Sequence, residues 1–408
     1  MRILHTSDWH IGKVLKGQSR LDEQLAVLKE IVEIAEREKP DLAIVAGDLY
    51  DTAAPTAETE KIVVRALSAL RRHCAAVVVI AGNHDHGARL DALRPWAEGV
   101  GIALRGTLGR PEDHLIEGTT PGGEAWRLVA LPFISQRYAV RASEMFELTP
   151  AEASATYADH IARLLAALTE SFTDQTPTVN LVAAHLTVVG GKLGGGERDA
   201  HTIEAYAVPA TIFPLATHYV ALGHLHRRQQ VAGPCPVHYC GSPFAVDFGE
   251  EENKPSVSIV EVTAAKAARV RPIPITAAVP LRTVRGTLAE LARLADGIPE
   301  NAWLRVYVRE KPRAGLKEDV QALLPRALEV RVDPRELPEQ DSASVTVTRT
   351  GRSPNDLFAE YLAAKGVVDE AVIALFNRLH DELAAEGRGE PVPAARAAQP
   401  AGATGGQR

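Results

Sequence analysis

The chain has 408 residues, of which 46% are hydrophobic and 24% are charged, and its formal net charge is −7. This composition is typical of a soluble globular protein of two or three domains. The net negative charge argues against a protein that coats nucleic acid with a broadly basic surface. It does not exclude a nucleic-acid enzyme, because acidic metal ligands are counted without their cations. No apolar run approaches the ~20 residues that span a bilayer, so we expect a cytoplasmic protein with no membrane partner.

The cysteine content is low and odd. Cys74, Cys235 and Cys240 lack the spacing of a secretory disulfide framework, and no Cys or His ligands lie near them at zinc-finger spacing. We expect free thiols in a reducing compartment. The alternative is that Cys235 and Cys240 pair or share a metal.

The N-terminal part of the chain alternates apolar strands with amphipathic helices. Strands are predicted at 2–8, 41–48 and 75–80, and each is followed by polar residues. Helices are predicted at 21–38, where apolar side chains recur three or four residues apart, and at 56–73. This alternation indicates α/β organisation with right-handed crossovers.

Later strands are separated by less helix. They read LVAAH, HYVALGH, VHYC and PSVSIVEV, at 181–185, 218–224, 237–240 and 255–262. One helix is predicted within 151–170. This pattern predicts a second sheet packed on the first.

The remaining sequence divides into smaller parts. RPIPITAAVP, at 271–280, has three prolines and is predicted to be a linker. A helix, a strand, a second helix and a second strand follow it, at 287–295, 303–308, 316–328 and 329–333. RTGRSPND, at 349–356, is a second break before strongly helical residues. The predicted parts are an N-terminal α/β domain, an α+β cap domain, a helical segment and a disordered tail, at 1–270, 271–348, 349–386 and 387–408.

Polar side chains of metal-binding type lie at the ends of five predicted strands. They are Asp8, His10, Asp48, Asp51, Asn83, His84, His185, His224 and His226. Because the carboxyl ends of strands in an open α/β sheet converge on one crevice, these side chains can meet. A mixture of carboxylate and imidazole suits Mn²⁺, Fe²⁺ or Zn²⁺ better than Mg²⁺ or Ca²⁺ alone. The sequence therefore predicts a metal centre.

The same motifs, DxH, GDxxD, GNHD, a lone His and GHxH, resemble those of the calcineurin-like metallophosphoesterases in full order. ILHTSDWHIGK, VAGDLYD, IAGNHD, YVALGHLHRRQ and YCGSPFAVDFGE resemble more closely the SbcD branch of bacterial nucleases, over about residues 1–262. The resemblance implies an α/β, two-sheet metallophosphoesterase sandwich flanked by helices, with a small α+β cap domain and a C-terminal helical segment.

The resemblance also implies two metal sites that share one carboxylate. Two Mn²⁺ ions are expected, with Mg²⁺, Fe²⁺ or Zn²⁺ as alternatives. Asp48 would bridge the two ions, and Asn83 would supply a neutral oxygen. The ligands of the first ion would be Asp8, His10, Asp48 and His226, and those of the second Asp48, Asn83, His185 and His224.

Four residues near the ligands receive other roles. Archaeal relatives carry a histidine where this chain has Asp51, so we expect Asp51 only to orient a ligand imidazole. Asp85 is expected to hold His84 in place. His84 would face the scissile phosphate as a catalytic residue without binding metal. His86 is expected to be a surface residue.

Several further segments have two interpretations each. The Gly-rich run 189–201 is either a loop at the mouth of the active site or a plain surface linker. Arg227 and Arg228 either guide the phosphate backbone of a nucleic acid or are solvated residues at the edge of a sheet. The basic residues of 301–335 either touch DNA or form a solvated surface. The amphipathic residues 356–386 either bind the partner ATPase or pack on their own core.

By resemblance, the chain is expected to be an Mn²⁺-dependent DNA nuclease that acts with the ATPase SbcC in DNA repair and recombination. The expected activities are 3′→5′ exonuclease action on duplexes and endonuclease action on single strands and hairpins. A homodimer is implied, through helices near 56–73 and 88–98. The alternatives are a phosphoesterase acting on a small phosphodiester, such as a cyclic nucleotide, and an inactive DNA-binding scaffold.

Overall fold

A computed structural model describes residues 1–135, 157–172, 177–197 and 207–336, with 358, 361–363 and 372–376. The chain divides into two compact units, Met1–Pro338 and Glu339–Arg408. The predicted break at 349–356, the disordered tail and most of the helical segment lie outside the described residues, as do 198–201 of the Gly-rich run.

The first sheet has six strands and carries the N-terminal part of the chain. Arg2–Thr6, Leu42–Ala46, Ala76–Ile80 and Ile102–Arg105 run parallel, in that order across the sheet. On the other side of Arg2–Thr6, two antiparallel strands complete the sheet, Ser256–Thr263 and Lys266–Pro274. Two long helices, Leu21–Glu38 and Ala57–His73, connect the first three parallel strands and pack their apolar faces against them.

The second sheet also has six strands. In spatial order they are Gln229–Val231, Val237–Tyr239, Tyr219–Gly223, Thr178–His185, Ala125–Leu131 and Leu115–Thr119. The four inner strands are parallel, and the two edge strands are antiparallel to their neighbours. The helix Tyr157–Leu168 packs its buried residues into the core on the outer side of this sheet.

The two sheets face each other across a buried apolar layer. Ile44 and Ile80 of the first sheet pack in one cluster with Leu128, Leu181 and Ala221 of the second. Both faces of the central strands are buried, which explains why their sequences are continuously apolar. The predicted two-sheet α/β sandwich is therefore confirmed, and the strands between residues 102 and 131 are additions that the sequence interpretation lacked.

A third, smaller sheet follows the sandwich. Leu281–Gly286, Trp303–Val308 and Ala327–Val332 run parallel, with the helices Leu288–Leu294 and Leu316–Leu323 between them. The first helix begins with a capping box in which Thr287 and Glu290 each bond the other's backbone N–H. The second helix ends earlier than the predicted 316–328, and the last strand begins before the predicted 329.

The predicted linker at 271–280 is partly wrong. Residues 271–274 belong to the strand Lys266–Pro274 and pair with Ser256–Ile259 of the first sheet. Pro272 and Pro274 are tolerated there because this is an edge strand, where a missing N–H need not break a ladder.

The remaining elements are short. The small helices are Gly87–Ala92, Arg94–Gly99 and Pro111–His114, and the 3₁₀ turns are Ala210–Ile212, Phe248–Glu250, Ala295–Gly297 and Pro334–Glu336. The two-residue strand pairs are Val14–Leu15 with Gln18–Ser19, and Thr187–Val188 with Ala207–Val208. Cys74, Cys235 and Cys240 are buried free thiols, as predicted. Within the described residues, every helix is too short or too polar to cross a bilayer.

Candidate metal centre

The predicted ligands lie just beyond the carboxyl ends of strands. Asp8 and Asp48 follow neighbouring parallel strands of the first sheet, whereas His185 ends a strand of the second sheet and His224 follows the strand beside it. Asp8, His10, Asp48 and His224 all have φ between 42° and 97°. Left-handed backbone costs a non-glycine residue roughly 1–2 kcal/mol, so the fold holds these side chains in place at the expense of local strain.

The first predicted ligand set converges. Asp8, His10, Asp48 and His226 are all buried, and their ligand atoms lie within 4.8 Å of one another. The Nε2 atoms of His10 and His226 are 3.1 Å apart, and His10 Nε2 is 3.6 Å from Asp48 Oδ2. These are the four residues assigned by resemblance to the first ion.

The second predicted set converges on the other side of Asp48. Asp48, His185 and His224 form a second group within the same limit, and His185 Nε2 lies 3.4 Å from Asp48 Oδ2. Asn83 joins them, because its Oδ1 lies 2.9 Å from His185 Nε2 and 2.8 Å from His224 Nδ1. Asp48 therefore belongs to both groups.

The donor atoms of both groups fit cations. Two imidazole nitrogens that face each other at 3.1 Å, as in His10 and His226, can share only one proton. Their neighbours Asp8 and Asp48 are carboxylates buried away from water. Burying a charged carboxylate costs free energy unless a positive charge compensates it. Imidazole, carboxylate and amide oxygen together suit divalent transition metals.

The electrostatics of the centre are strongly coupled. Burial raises the pKa of Asp8 to about 6, although His226 and His185 oppose it. Burial disfavours the charged forms of Asp48 and His185 too, but their mutual attraction outweighs it. The pKa of Asp48 therefore lies well below its usual range, and that of His185 rises to about 9. Because a cation displaces such protons from its ligands, metal binding is expected to strengthen as pH rises.

Two glycines let the loops of the two groups approach each other. A Cβ on Gly82 would lie 2.2 Å from Asp48 Oδ1, and one on Gly47 would lie 2.2 Å from His185 Nδ1. Gly47 also has φ of +93°, which favours glycine. No other residue type fits at these positions without moving a predicted ligand.

Asp51 and His84 lie beside the first group. Asp51 Oδ1 is 3.6 Å from His10 Nδ1 and 3.2 Å from Lys13 Nζ. Burial raises the pKa of Asp51, but His10 and Lys13 outweigh it and hold the value at about 2. Asp51, His10 and His84 form a further group of convergent ligand atoms.

Asp85 was expected to hold His84 in place, and the contacts that the structure describes for Asp85 are to backbone groups. Its carboxylate accepts from the backbone N–H groups of Gly82, Leu49 and Tyr50, at 2.8, 3.2 and 3.0 Å. It therefore fixes the backbone of the Asp48 loop against the Asn83 loop. The His84 ring is bonded through Nδ1 to the carbonyl oxygen of Asp51. His86 is exposed, as predicted, and accepts from Arg89 N at the start of the helix Gly87–Ala92.

Two glutamates near His226 were missed by the sequence interpretation. Glu250 Oε1 lies 2.5 Å from His226 Nδ1, and Glu197 Oε1 accepts from the His226 backbone N–H at 2.9 Å. The available signal was the glutamate within DFGE in the motif YCGSPFAVDFGE and the glutamate that ends the run GGGE. Spacing along the chain could not place either one beside His226.

The described part of the Gly-rich run lies against the metal centre. Glu197 accepts from the backbone N–H groups of Gly194, Gly195 and Gly196, which folds the run on itself. A Cβ on Gly194 would lie 2.9 Å from His226 Cβ. Arg227 and Arg228 are exposed immediately beyond His226.

Comparisons with known proteins agree with this geometry. Residues 1–128 match the family described as calcineurin-like phosphoesterase, and residues 277–366 match the one described as type 5 capsule protein repressor C-terminal domain. The chain is 36% identical over 326 residues to the SbcD component of the SbcCD nuclease of Bacillus subtilis, covering 78% of this chain and 81% of that protein.

The chain belongs to the SbcD family. Proteins of the same name in Rhodobacter capsulatus and Escherichia coli K12 are 34% and 31% identical to it. The coverage is 72% of this chain and 76% of the relative in the first case, and 71% and 72% in the second. The SbcD resemblance drawn from the sequence motifs is thus confirmed.

Proposed function

We propose that this chain is the nuclease subunit of an SbcC–SbcD complex and hydrolyses DNA phosphodiester bonds with two Mn²⁺ ions. The observation that carries the proposal is the pair of ligand groups that share the Asp48 carboxylate, in a chain of the SbcD family. The proposed ligands of the first ion are Asp8, His10, Asp48 and His226, and those of the second Asp48, Asn83, His185 and His224.

Two divalent cations held here would supply positive charge to the attacking and leaving oxygens of an in-line displacement. The chain's own residues would position the two sites and transfer the proton. Asp48 would fix the two sites relative to each other, and Asn83 would bring its amide oxygen to the second site, where it lies 2.9 Å from His185 Nε2 and 2.8 Å from His224 Nδ1. His84, as an imidazolium protonated at both ring nitrogens, would deliver its Nε2 proton to the departing 3′ oxygen.

The third sheet favours DNA over a small phosphodiester. In the strand Trp303–Val308, every second residue is buried under the helices, so Tyr307 lies on the other face. Arg285 and Arg331 pair with Tyr307 from the two neighbouring strands, and both are exposed. The Arg285 guanidinium lies 4.4 Å from the Tyr307 ring centroid. Guanidinium groups beside an aromatic ring suit a sugar–phosphate backbone.

The test compares substrates in one preparation. Purified protein is incubated with labelled duplex, hairpin and single-stranded DNA, and with bis-p-nitrophenyl phosphate and a cyclic nucleotide, in Mn²⁺, Mg²⁺, Fe²⁺ or Zn²⁺. We expect 3′→5′ exonuclease and endonuclease cleavage, fastest with Mn²⁺. Arg285→Ala with Arg331→Ala should slow DNA cleavage and leave bis-p-nitrophenyl phosphate hydrolysis unchanged. Turnover of the cyclic nucleotide without any DNA cleavage would instead favour the small-substrate function.

Partnership with SbcC is the second part of the proposal. The described residues of the second unit include the exposed apolar side chains Tyr361 and Leu375, and Phe358 stacks on Phe376 at a centroid distance of 4.0 Å. An exposed apolar helical surface suits a partner helix or coiled coil. Leu375→Asp should therefore weaken co-purification with SbcC. The matched control is Leu215→Asp, an exposed leucine of the first unit, and equal binding by both variants would contradict the assignment.

A homodimer completes the proposal, with the helices Ala57–His73, Gly87–Ala92 and Arg94–Gly99 as the contact surface. Light scattering of the purified protein tests it, and a monomer at micromolar concentration would contradict it. A DNA nuclease with three buried free thiols is expected to work in the cytoplasm.

A further inference from the structure

His226 is held by a carboxylate on each of two sides. Glu250 contacts the imidazole through Nδ1, and Glu197 accepts from the backbone N–H. Glu250 is only 1% exposed. The Gly-rich run closes over it, since a Cβ on Gly196 would lie 2.0 Å from Glu250 Oε1.

Both oxygens of Glu250 are used as acceptors. Oε1 faces His226 Nδ1 at 2.5 Å, and Oε2 accepts from the Val246 backbone N–H at 2.8 Å. A carboxylate has no proton to donate, so in the neutral His226 ring, which is the form that binds a metal ion, the proton lies on Nδ1. The Nε2 lone pair is then directed at the ligand group, where it faces His10 Nε2 at 3.1 Å.

Glu250 is also connected to the third sheet. It ends the 3₁₀ turn Phe248–Glu250, and the Phe248 ring is buried with Leu281 in a small apolar cluster. Arg305 of the third sheet donates from Nη2 to the Phe248 carbonyl oxygen at 3.4 Å. Its guanidinium lies 5.1 Å from the Phe248 ring centroid. The turn that carries Glu250 therefore packs against the third sheet on one side and against His226 on the other.

We propose that Glu250 is a positioning residue for His226, and that Arg305 makes this positioning depend on the docked third sheet through Phe248. The inference rests on the proposed function in one respect, that His226 binds a metal ion. Coupling of this kind is reciprocal: if the docked sheet favours metal binding, then bound metal favours the docked sheet.

The first variant is Glu250→Gln. A glutamine keeps the shape but has one acceptor and one donor group, so it cannot accept from both His226 Nδ1 and Val246 N. If its NH₂ group faces His226, the imidazole proton moves to Nε2 and blocks the lone pair. We expect one of two Mn²⁺ ions to bind ~10–100-fold more weakly, as is typical when a partner of a ligand histidine is lost.

The measurement is Mn²⁺ titration by calorimetry, beside hydrolysis of bis-p-nitrophenyl phosphate at increasing Mn²⁺. Excess Mn²⁺ should restore the rate of Glu250→Gln, which misfolded protein would not show. Glu251→Gln is the matched control, because it removes the neighbouring carboxylate and should leave both affinities unchanged. Wild-type Mn²⁺ affinity at both sites of Glu250→Gln would overturn the positioning role.

The second variant is Arg305→Met, which removes the bond to Phe248 and keeps an unbranched apolar stem. We expect weaker Mn²⁺ binding at the same single site, by less than in Glu250→Gln. Arg293→Met is the control, because Arg293 lies in the helix Leu288–Leu294, which connects two strands of the third sheet. Unchanged affinity in Arg305→Met would overturn the link to the third sheet. Wild-type protein that binds two Mn²⁺ ions but never cleaves DNA would refute the proposed function and leave this inference standing.

Discussion

The Nδ1 atom of His84 lies 2.8 Å from the backbone carbonyl oxygen of Asp51. Because a carbonyl only accepts, this contact assigns the proton of the neutral ring to Nδ1 and makes Nε2 its basic nitrogen. The His84 ring meets the His10 ring edge-on at 4.6 Å between centroids, and the His84 backbone N–H donates to Asp48 Oδ1 at 2.8 Å. His84 is thus fixed beside the metal centre by its backbone and by one ring nitrogen.

The first prediction concerns that ring. His84→Ala should retain two bound Mn²⁺ ions and near-normal DNA affinity, because the backbone contact to Asp48 survives the substitution. Turnover should fall by ~10²–10⁴-fold, the usual contribution of a positioned proton donor. Single-turnover cleavage, metal content and DNA binding are measured in one preparation, and excess Mn²⁺ should not restore the rate.

His86→Ala is the matched control for this variant. It removes an exposed histidine two residues away and should keep the rate close to wild type. Loss of metal in step with activity in His84→Ala would show that His84 is structural instead of catalytic.

The second prediction concerns the shared carboxylate. Asp48 Oδ2 lies 3.6 Å from His10 Nε2 and 3.4 Å from His185 Nε2, one in each ligand group. Asp48→Ala should therefore lose both metal ions and all nuclease activity. Asp8→Ala should weaken mainly one site. Metal content by mass spectrometry checks both variants, and two retained ions in Asp48→Ala would contradict a bridging role.

The ligands could be predicted from sequence because each lies next to a recognisable strand. The last residue of a buried apolar run marks the end of the strand. Parallel strands bring their carboxyl ends together whatever their separation along the chain. The strand Leu115–Thr119 was missed because every one of its residues is at least partly exposed, so it lacks a clear apolar pattern.

The partners of the ligands could not be predicted in the same way. Glu250 and Glu197 reach His226 from loops 24 and 29 residues distant in sequence. Their positions depend on how those loops fold over the sheet, which no periodicity records. Asp85 is a further example. The sequence identified it as a residue near the ligands, but its contacts to the backbone N–H groups of Leu49 and Tyr50 depend on how the loops fold.

The third prediction tests the close approach of two loops. In Gly82→Ala the added Cβ would lie 2.2 Å from Asp48 Oδ1 and 2.3 Å from the Asp48 backbone nitrogen. Backbone cannot move there without displacing Asp48, so we expect weaker metal binding and a lower thermal midpoint. Gly122→Ala is the control, because its Cβ would meet Thr120 Oγ1 at an ordinary 3.7 Å. Equal Mn²⁺ affinity in the two variants would contradict the prediction.

The fourth prediction concerns acid stability and a histidine outside the metal centre. His5 is fully buried between the sheets, and its Nδ1 lies 2.9 Å from the Tyr219 hydroxyl. Burial, followed by the nearby His238, lowers the pKa of His5 from 6.5 to about 3. The unfolded chain therefore binds this proton more readily than the folded chain does. The stabilisation from neutral His5 is complete above pH 6.5 and is lost as pH falls from there towards 3.

Because of this single group, the free energy of unfolding should be about 2 kcal/mol lower at pH 5 than at pH 7.5, at 1.36 kcal/mol per pKa unit. His5→Gln removes the titrating group, so its loss of stability between the two pH values should be smaller by that amount. Urea unfolding of both proteins in EDTA at each pH provides the comparison, and the ligand histidines contribute equally to both. Tyr219→Phe keeps His5 buried and should retain the full acid sensitivity. The prediction fails if His5→Gln loses as much stability as wild type between pH 7.5 and 5.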